Sequence, residues 1–128
     1  MTDPSAPVLV VDDVEAVRSL VMAFLEELGY QTQGVENVTS AKDWLSKNVP
    51  RLVMLDVMMP DGNGLDLCRW IRSQPNIAAI PIIVMTAIKD DETAQDAFQL
   101  GAMDFIRKPI DMDVLSGKLE RFLGLKRS

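Results

Sequence analysis

Histidine is missing from all 128 residues, and cysteine occurs once. The first absence removes most zinc sites and every Ser-His or Cys-His nucleophile. The second rules out an intramolecular disulfide. The lone Cys68, in "GLDLCRWIRS", reads as a small core filler on a helix. No apolar run approaches the roughly 20 residues needed to cross a bilayer. The opening "MTDPSAP" lacks the basic and apolar regions of a secretory signal. Basic residues are outnumbered 13 to 19, for a formal charge of −6, which disfavours a nucleic-acid partner bound through its phosphates. What remains, 48% apolar and 25% charged, describes one soluble globular domain, expected in the cytoplasm and with no membrane partner.

Apolar runs and helical stripes alternate along the chain. Residues 1–7 read as a loose leader, and "VLVV" (8–11) as a first strand ended by "DD". Apolar residues at 14, 17, 21, 24/25 and 28 have helical spacing, and Gly29 stops that helix. "YQTQGV" predicts a second strand. Ser40 is expected to open a helix over 40–48, with Asp43 completing a capping box. "RLVML" (51–55) predicts a third strand, and Asn63 is expected to cap a helix that turns Leu65, Cys68 and Ile71 inward. "PIIVM" (81–85), a helix near 90–100 ended by Gly101, and "MDFIR" (103–107) follow. Asp111 then caps a last helix with Leu115, Leu119 and Phe122 inward. Short uninterrupted apolar strands are what a parallel sheet covered on both faces requires. The predicted fold is therefore α/β, a doubly wound three-layer sandwich of five strands and five helices.

In such sheets, ligands bind beyond the carboxyl ends of the strands. There the first strand delivers Asp12 and Asp13, the third Asp56, the fourth Thr86, and the fifth Lys108 followed by Pro109. Three carboxylates held together repel one another, and a hard divalent cation such as Mg²⁺ relieves this. With the cation, the Thr86 hydroxyl and the Lys108 ammonium, the edge suits a phosphoryl group, and leaves Asp56 to act as nucleophile. The proline and glycines of "MMPDGNG" let backbone groups approach the metal and the phosphoryl group closely.

The segments "VLVVDD", "VMLDVMMPDGNGL", "PIIVMTA" and "GAMDFIRKPI" resemble the receiver domain of bacterial two-component response regulators, over about residues 8–123. The resemblance implies a flavodoxin-like strand order 2-1-3-4-5, and leaves 124–128 as a tail or the start of a linker. It implies Asp56 as phosphoacceptor, with Mg²⁺ held by Asp13, Asp56, the Met58 carbonyl and, through water, Asp12. Thr86 and Lys108 would contact phosphoryl oxygens, and the Lys108–Pro109 bond would be cis. Thr86 and Phe105 would form the switch, and the face made by helix four, strand five and helix five would signal or pair two copies. The implied partners are a sensor histidine kinase or phosphotransfer protein and a downstream effector or attached output domain. As the sequence stops soon after the last helix, no effector domain is expected within it.

Several positions depart from the family pattern. Asn63 stands where receivers often have Asp, Phe105 has no hydroxyl to report ring rotation, and Ile110 replaces the usual Phe. Met58 and Ile88, both apolar, occupy the two positions that flank the approach of a hydrolytic water, which predicts slow loss of the phosphoryl group. Met58 also stands where a haloacid-dehalogenase-like phosphatase needs its second Asp. "VDDVEAV" is too acidic for a flavin phosphate loop and lacks the G-x-G-x-x-G of a dinucleotide fold. The remaining rival is a receiver-like interaction module that works without phosphorylation.

Overall fold

The computed structural model describes residues 5–87 and 91–124, with backbone alone for 91–94. Five strands, β1 (Val8–Val11), β2 (Thr32–Val35), β3 (Leu52–Asp56), β4 (Ile82–Thr86) and β5 (Asp104–Arg107), form one parallel sheet in the order β2-β1-β3-β4-β5. Five helices connect and flank them: α1 (Glu15–Glu27), α2 (Val38–Leu45), α3 (Gly64–Arg72), α4 (Asp91–Gln99) and α5 (Met112–Leu123). This is the expected doubly wound, flavodoxin-like architecture. β1 and β3 are buried at every residue, because both faces of the sheet are covered. Alternate side chains feed two cores. Leu9, Val11, Val53, Leu55 and Val84 join α2 and α3 on one side, and Val8, Val10, Met54, Ile83 and Met85 join α1 and α5 on the other.

Several boundaries differ from the sequence reading, each for a local reason. α2 starts at Val38 and ends at Leu45, rather than running over 40–48. Its cap is Asn37, whose Oδ1 accepts from the Ser40 N–H at 2.7 Å. Asp43 makes no capping box and pairs instead with Lys47 at 3.6 Å on the exposed surface. A second carboxylate reaches this helix start from the loop after β3. Asp61 accepts from Val38 N, Thr39 N and Thr39 Oγ1 at 2.9, 3.0 and 2.6 Å. Val14, expected on the inward stripe of α1, is 46% exposed at the helix N-cap, while Val21 and Leu25 are buried. β3 and β4 each run one residue further than expected, so Asp56 and Thr86 lie inside the ladder. The α3 cap is as expected, with Asn63 Oδ1 accepting from Leu65 N at 2.8 Å. Gly29 and Gly101 take positive φ after α1 and α4, and Asp111 caps α5.

The end of α3 carries a cation that meets main chain in place of a carboxylate. Arg72 donates to the carbonyls of Gly101 (2.9 and 2.6 Å), Ala78 (2.9 Å) and Ile80 (2.6 Å). It thereby ties α3, the segment before β4 and the turn before β5 to one point. Arg72→Met keeps the stem and strands three part-buried carbonyls, so it should cost about 2 kcal/mol. Urea unfolding measures this, and an unchanged midpoint would show that water replaces the guanidinium freely.

Candidate functional site

The carboxyl ends of β1, β3 and β5 converge as the parallel order requires. Asp12 follows β1 and is fully buried, Asp13 beside it is exposed, and Asp56 ends β3 at 8% exposure. Their carboxylate oxygens lie within 4.8 Å of one another. Lys108, just past β5, places Nζ 2.8 Å from Asp12 Oδ2 and 3.1 Å from Asp56 Oδ2. The other Asp12 oxygen accepts from Val14 N at 2.9 Å, and Asp56 Oδ1 makes a long contact of 3.4 Å with Met58 N. Asp13 does not cap α1, whose N-cap is Val14.

Charge balance defines what the cluster can hold. Three carboxylates share one directly bonded ammonium, so the cluster keeps an excess of negative charge. Burial pushes the Asp56 carboxyl above its ordinary 3.8, and Asp12 adds to this, against the pull of Lys108 and the Met58 N–H. For Lys108, burial alone would lower the pKa, but its hydrogen bonds to Asp12 and Asp56 outweigh that and raise it. The ammonium therefore stays charged at neutral pH. A donor set made only of hard carboxylate oxygens, with excess negative charge, fits a small divalent cation such as Mg²⁺. Cys68, the soft donor, points from α3 into the core, its thiol pushed up to about 12 by burial.

Thr86 ends β4 at 3% exposure, one residue beyond Met85, which pairs in register with Asp56. Its carbonyl accepts from Lys108 N at 2.8 Å, so main chain joins the two residues expected to hold phosphoryl oxygens. The Lys108–Pro109 bond is cis. Met58 is 65% exposed and opens a short antiparallel hairpin, Met58–Met59 with Gly62–Asn63. Ile88 lies outside the described residues. Phe105 is half-buried on β5, its ring edge-on to Phe98 of α4 at 6.1 Å and beneath Arg107 at 5.4 Å. Beside it, Ile106, Pro109, Asp111, Val114 and Lys118 help line a cleft of about 310 Å³ between β5 and α5. Gly64 has a role that sequence reasoning missed, because a Cβ there would overlap the Asp56 carbonyl oxygen. The reach of Asp61 was missed too, since "PDG" signals only a turn.

The family model of the response regulator receiver domain matches residues 8–120. The chain belongs to that family. This receiver domain is 35% identical over 116 residues to the transcriptional regulatory protein GltR of Pseudomonas aeruginosa, a match covering 91% of the chain and 48% of GltR. It is 32% identical to the response regulator PleD of Caulobacter vibrioides, covering 95% of the chain and 27% of PleD. It thus spans about half or less of these two curated relatives. Among solved structures, the receiver domain of a signal transduction histidine kinase from Syntrophus aciditrophicus superposes with a TM-score of 0.85 at 38% identity, over 96% of this chain and 94% of that one. The chemotaxis response regulator CheY4 of Vibrio cholerae gives 0.86 at 27% identity, over 91% and 98%. The strand order and the Asp12, Asp13 and Asp56 cluster agree with the receiver reading of the sequence. No helix among the described residues is long and apolar enough to cross a membrane.

Proposed function

We propose that residues 8–123 form a phosphoaccepting receiver, in which Asp56 takes a phosphoryl group from the phosphohistidine of a sensor kinase or phosphotransfer protein. The observation that carries this is the Lys108 ammonium shared between buried Asp12 and Asp56 beside an exposed Asp13. An Asp56 oxygen attacks phosphorus, the O–P bond forms, and the donor N–P bond breaks with its electron pair kept by the imidazole. Lys108 exchanges carboxylate contacts for a phosphoryl oxygen, and the Thr86 hydroxyl holds another. Asp12, Asp13, Asp56 and the Met58 carbonyl would hold Mg²⁺, which supplies charge neutralisation and orientation of the phosphoryl oxygens.

The transferred charge would draw Thr86 inward and admit Phe105 behind it, altering the face of α4, β5 and α5 that meets an effector, an output domain or a second copy. That ring already packs across α4 through Phe98. Slow hydrolysis remains part of the proposal on the strength of apolar, exposed Met58. The setting we assign is cytoplasmic. Incubation with acetyl phosphate and MgCl₂ tests the function: intact-mass spectrometry should show one added phosphoryl group, and peptide mapping should place it on Asp56. A chain that stays unlabelled would favour the phosphorylation-independent interaction module.

A further inference from the structure

We infer that Arg18 is a positioning residue for the cation-holding carboxylates, acting through the peptide unit that joins Asp12 to Asp13. This rests on the reading of Asp12, Asp13 and Asp56 as a Mg²⁺ site. Arg18 lies in the first turns of α1 and donates to the Asp12 carbonyl oxygen at 2.8 Å. That carbonyl belongs to the peptide between the buried carboxylate and the exposed one. The rest of Asp12 is already held. Its N–H donates to Val35 O at 3.1 Å, Oδ1 accepts from Val14 N, and Oδ2 accepts from Lys108. Arg18 closes the set by holding the remaining polar atom. Among the described residues Asp13 has no comparable tether, so the plane of the preceding peptide sets where its carboxylate points.

A second observation shows how the guanidinium reaches back. A Cβ on Gly34 of β2 would stand 3.2 Å from Arg18 Cδ and 2.6 Å from Met22 Sδ. The bare backbone of Gly34 leaves the channel along which the Arg18 stem lies. Arg18 and Gly34 border a cleft of about 350 Å³ together with Val35, Glu36 and Ser40.

Positioning and charge predict opposite outcomes, which makes the inference sharp. A cation beside an acidic cluster repels a second cation, so if Arg18 acted through charge alone, its removal would tighten Mg²⁺ binding. If it acts by holding the peptide, removal loosens the ligand pair and weakens binding, by about tenfold as for other outer partners of metal ligands. Calorimetric titration of MgCl₂ into the folded chain decides, with metal-free thermal melts recorded alongside. Arg18→Met should raise the Mg²⁺ Kd about tenfold. Gly34→Ala, which keeps the guanidinium but crowds its stem, should shift Kd the same way; should it fail to fold, Arg18→Met decides alone. A Kd for Arg18→Met equal to or below that of the native chain overturns the inference, even if its melting temperature falls. Asp13→Asn separates the two levels. If it binds Mg²⁺ as tightly as the native chain, or if the native chain binds none, the reading of the cluster falls and this inference with it.

Discussion

Asp56→Asn should take up no phosphoryl group from acetyl phosphate, and the metal-free variant should melt at a higher temperature than the native chain at neutral pH. The first result follows from chemistry, because an amide oxygen is far too poor a nucleophile to replace a carboxylate. The second follows from the raised pKa of Asp56, caused first by burial and then by Asp12. A carboxyl raised by folding binds its proton more tightly in the native state. Its stabilising contribution is complete below the ordinary 3.8 and is lost as pH rises through the folded value. Above that value the ionised Asp56 burdens the fold, and asparagine removes the burden while leaving Lys108 to pair with Asp12. The two melting curves should therefore converge at about pH 4 and separate above it. Labelling of the variant would place the acceptor elsewhere, and identical melts at pH 7 would mean that Lys108 fully offsets the burial of Asp56.

Lys108→Met should be the most destabilising of the substitutions considered, at about 3 kcal/mol near neutral pH, since it strips the counter-ion from two buried carboxylates. Asp12 has no exposure and Asp56 little, so water replaces the ammonium poorly. The Lys108 pKa is raised in the fold, so its contribution is fully present below the ordinary 10.5 and fades only as pH rises through the folded value. Loss of the ammonium should thus be felt across the whole neutral range. MgCl₂ should restore part of the loss, because a cation that binds only the folded state stabilises it by mass action. Urea unfolding with and without MgCl₂ measures both. A cost below about 1 kcal/mol, the level of an exposed pair, would mean that the carboxylates share a proton instead.

The sheet was legible in the sequence because a strand covered on both faces needs an uninterrupted apolar run, as "VLVV" and "PIIVM" provide. The converging Asp12, Asp13, Asp56 and Lys108 were legible for a related reason. Alternation of strands and helices sends every strand end to the same edge. Asn37 apart, what was missed has one cause. The start of α2 was assigned from a local Ser-x-x-Asp pattern, but Asn37 lies earlier and Asp61 arrives from 22 residues downstream. Arg72 meets Gly101 across 29 residues and binds only carbonyls, which leave no trace in side-chain periodicity. Arg18 likewise grips main chain. Sequence patterns report what a residue does within its own element, and these residues act between elements.

β3 is paired in register by β1 over Leu52–Leu55 and by β4 over Val53–Asp56, and Asp56 is its last residue. In terms of amide exchange, this places the Asp56 carboxylate at the end of the central strand of the sheet, whose opening is expected to require cooperative unfolding. Beyond Asp56 the ladder gives way to a two-residue hairpin, Met58–Met59 with Gly62–Asn63, which Asp61 ties to the start of α2. Amide protection is therefore expected to fall between Asp56 and the hairpin that follows it. The Asp56 carboxylate is thus carried by backbone expected to exchange slowly, while the segment from Met58 to Asn63 beside it is held by the start of α2 and not by the sheet.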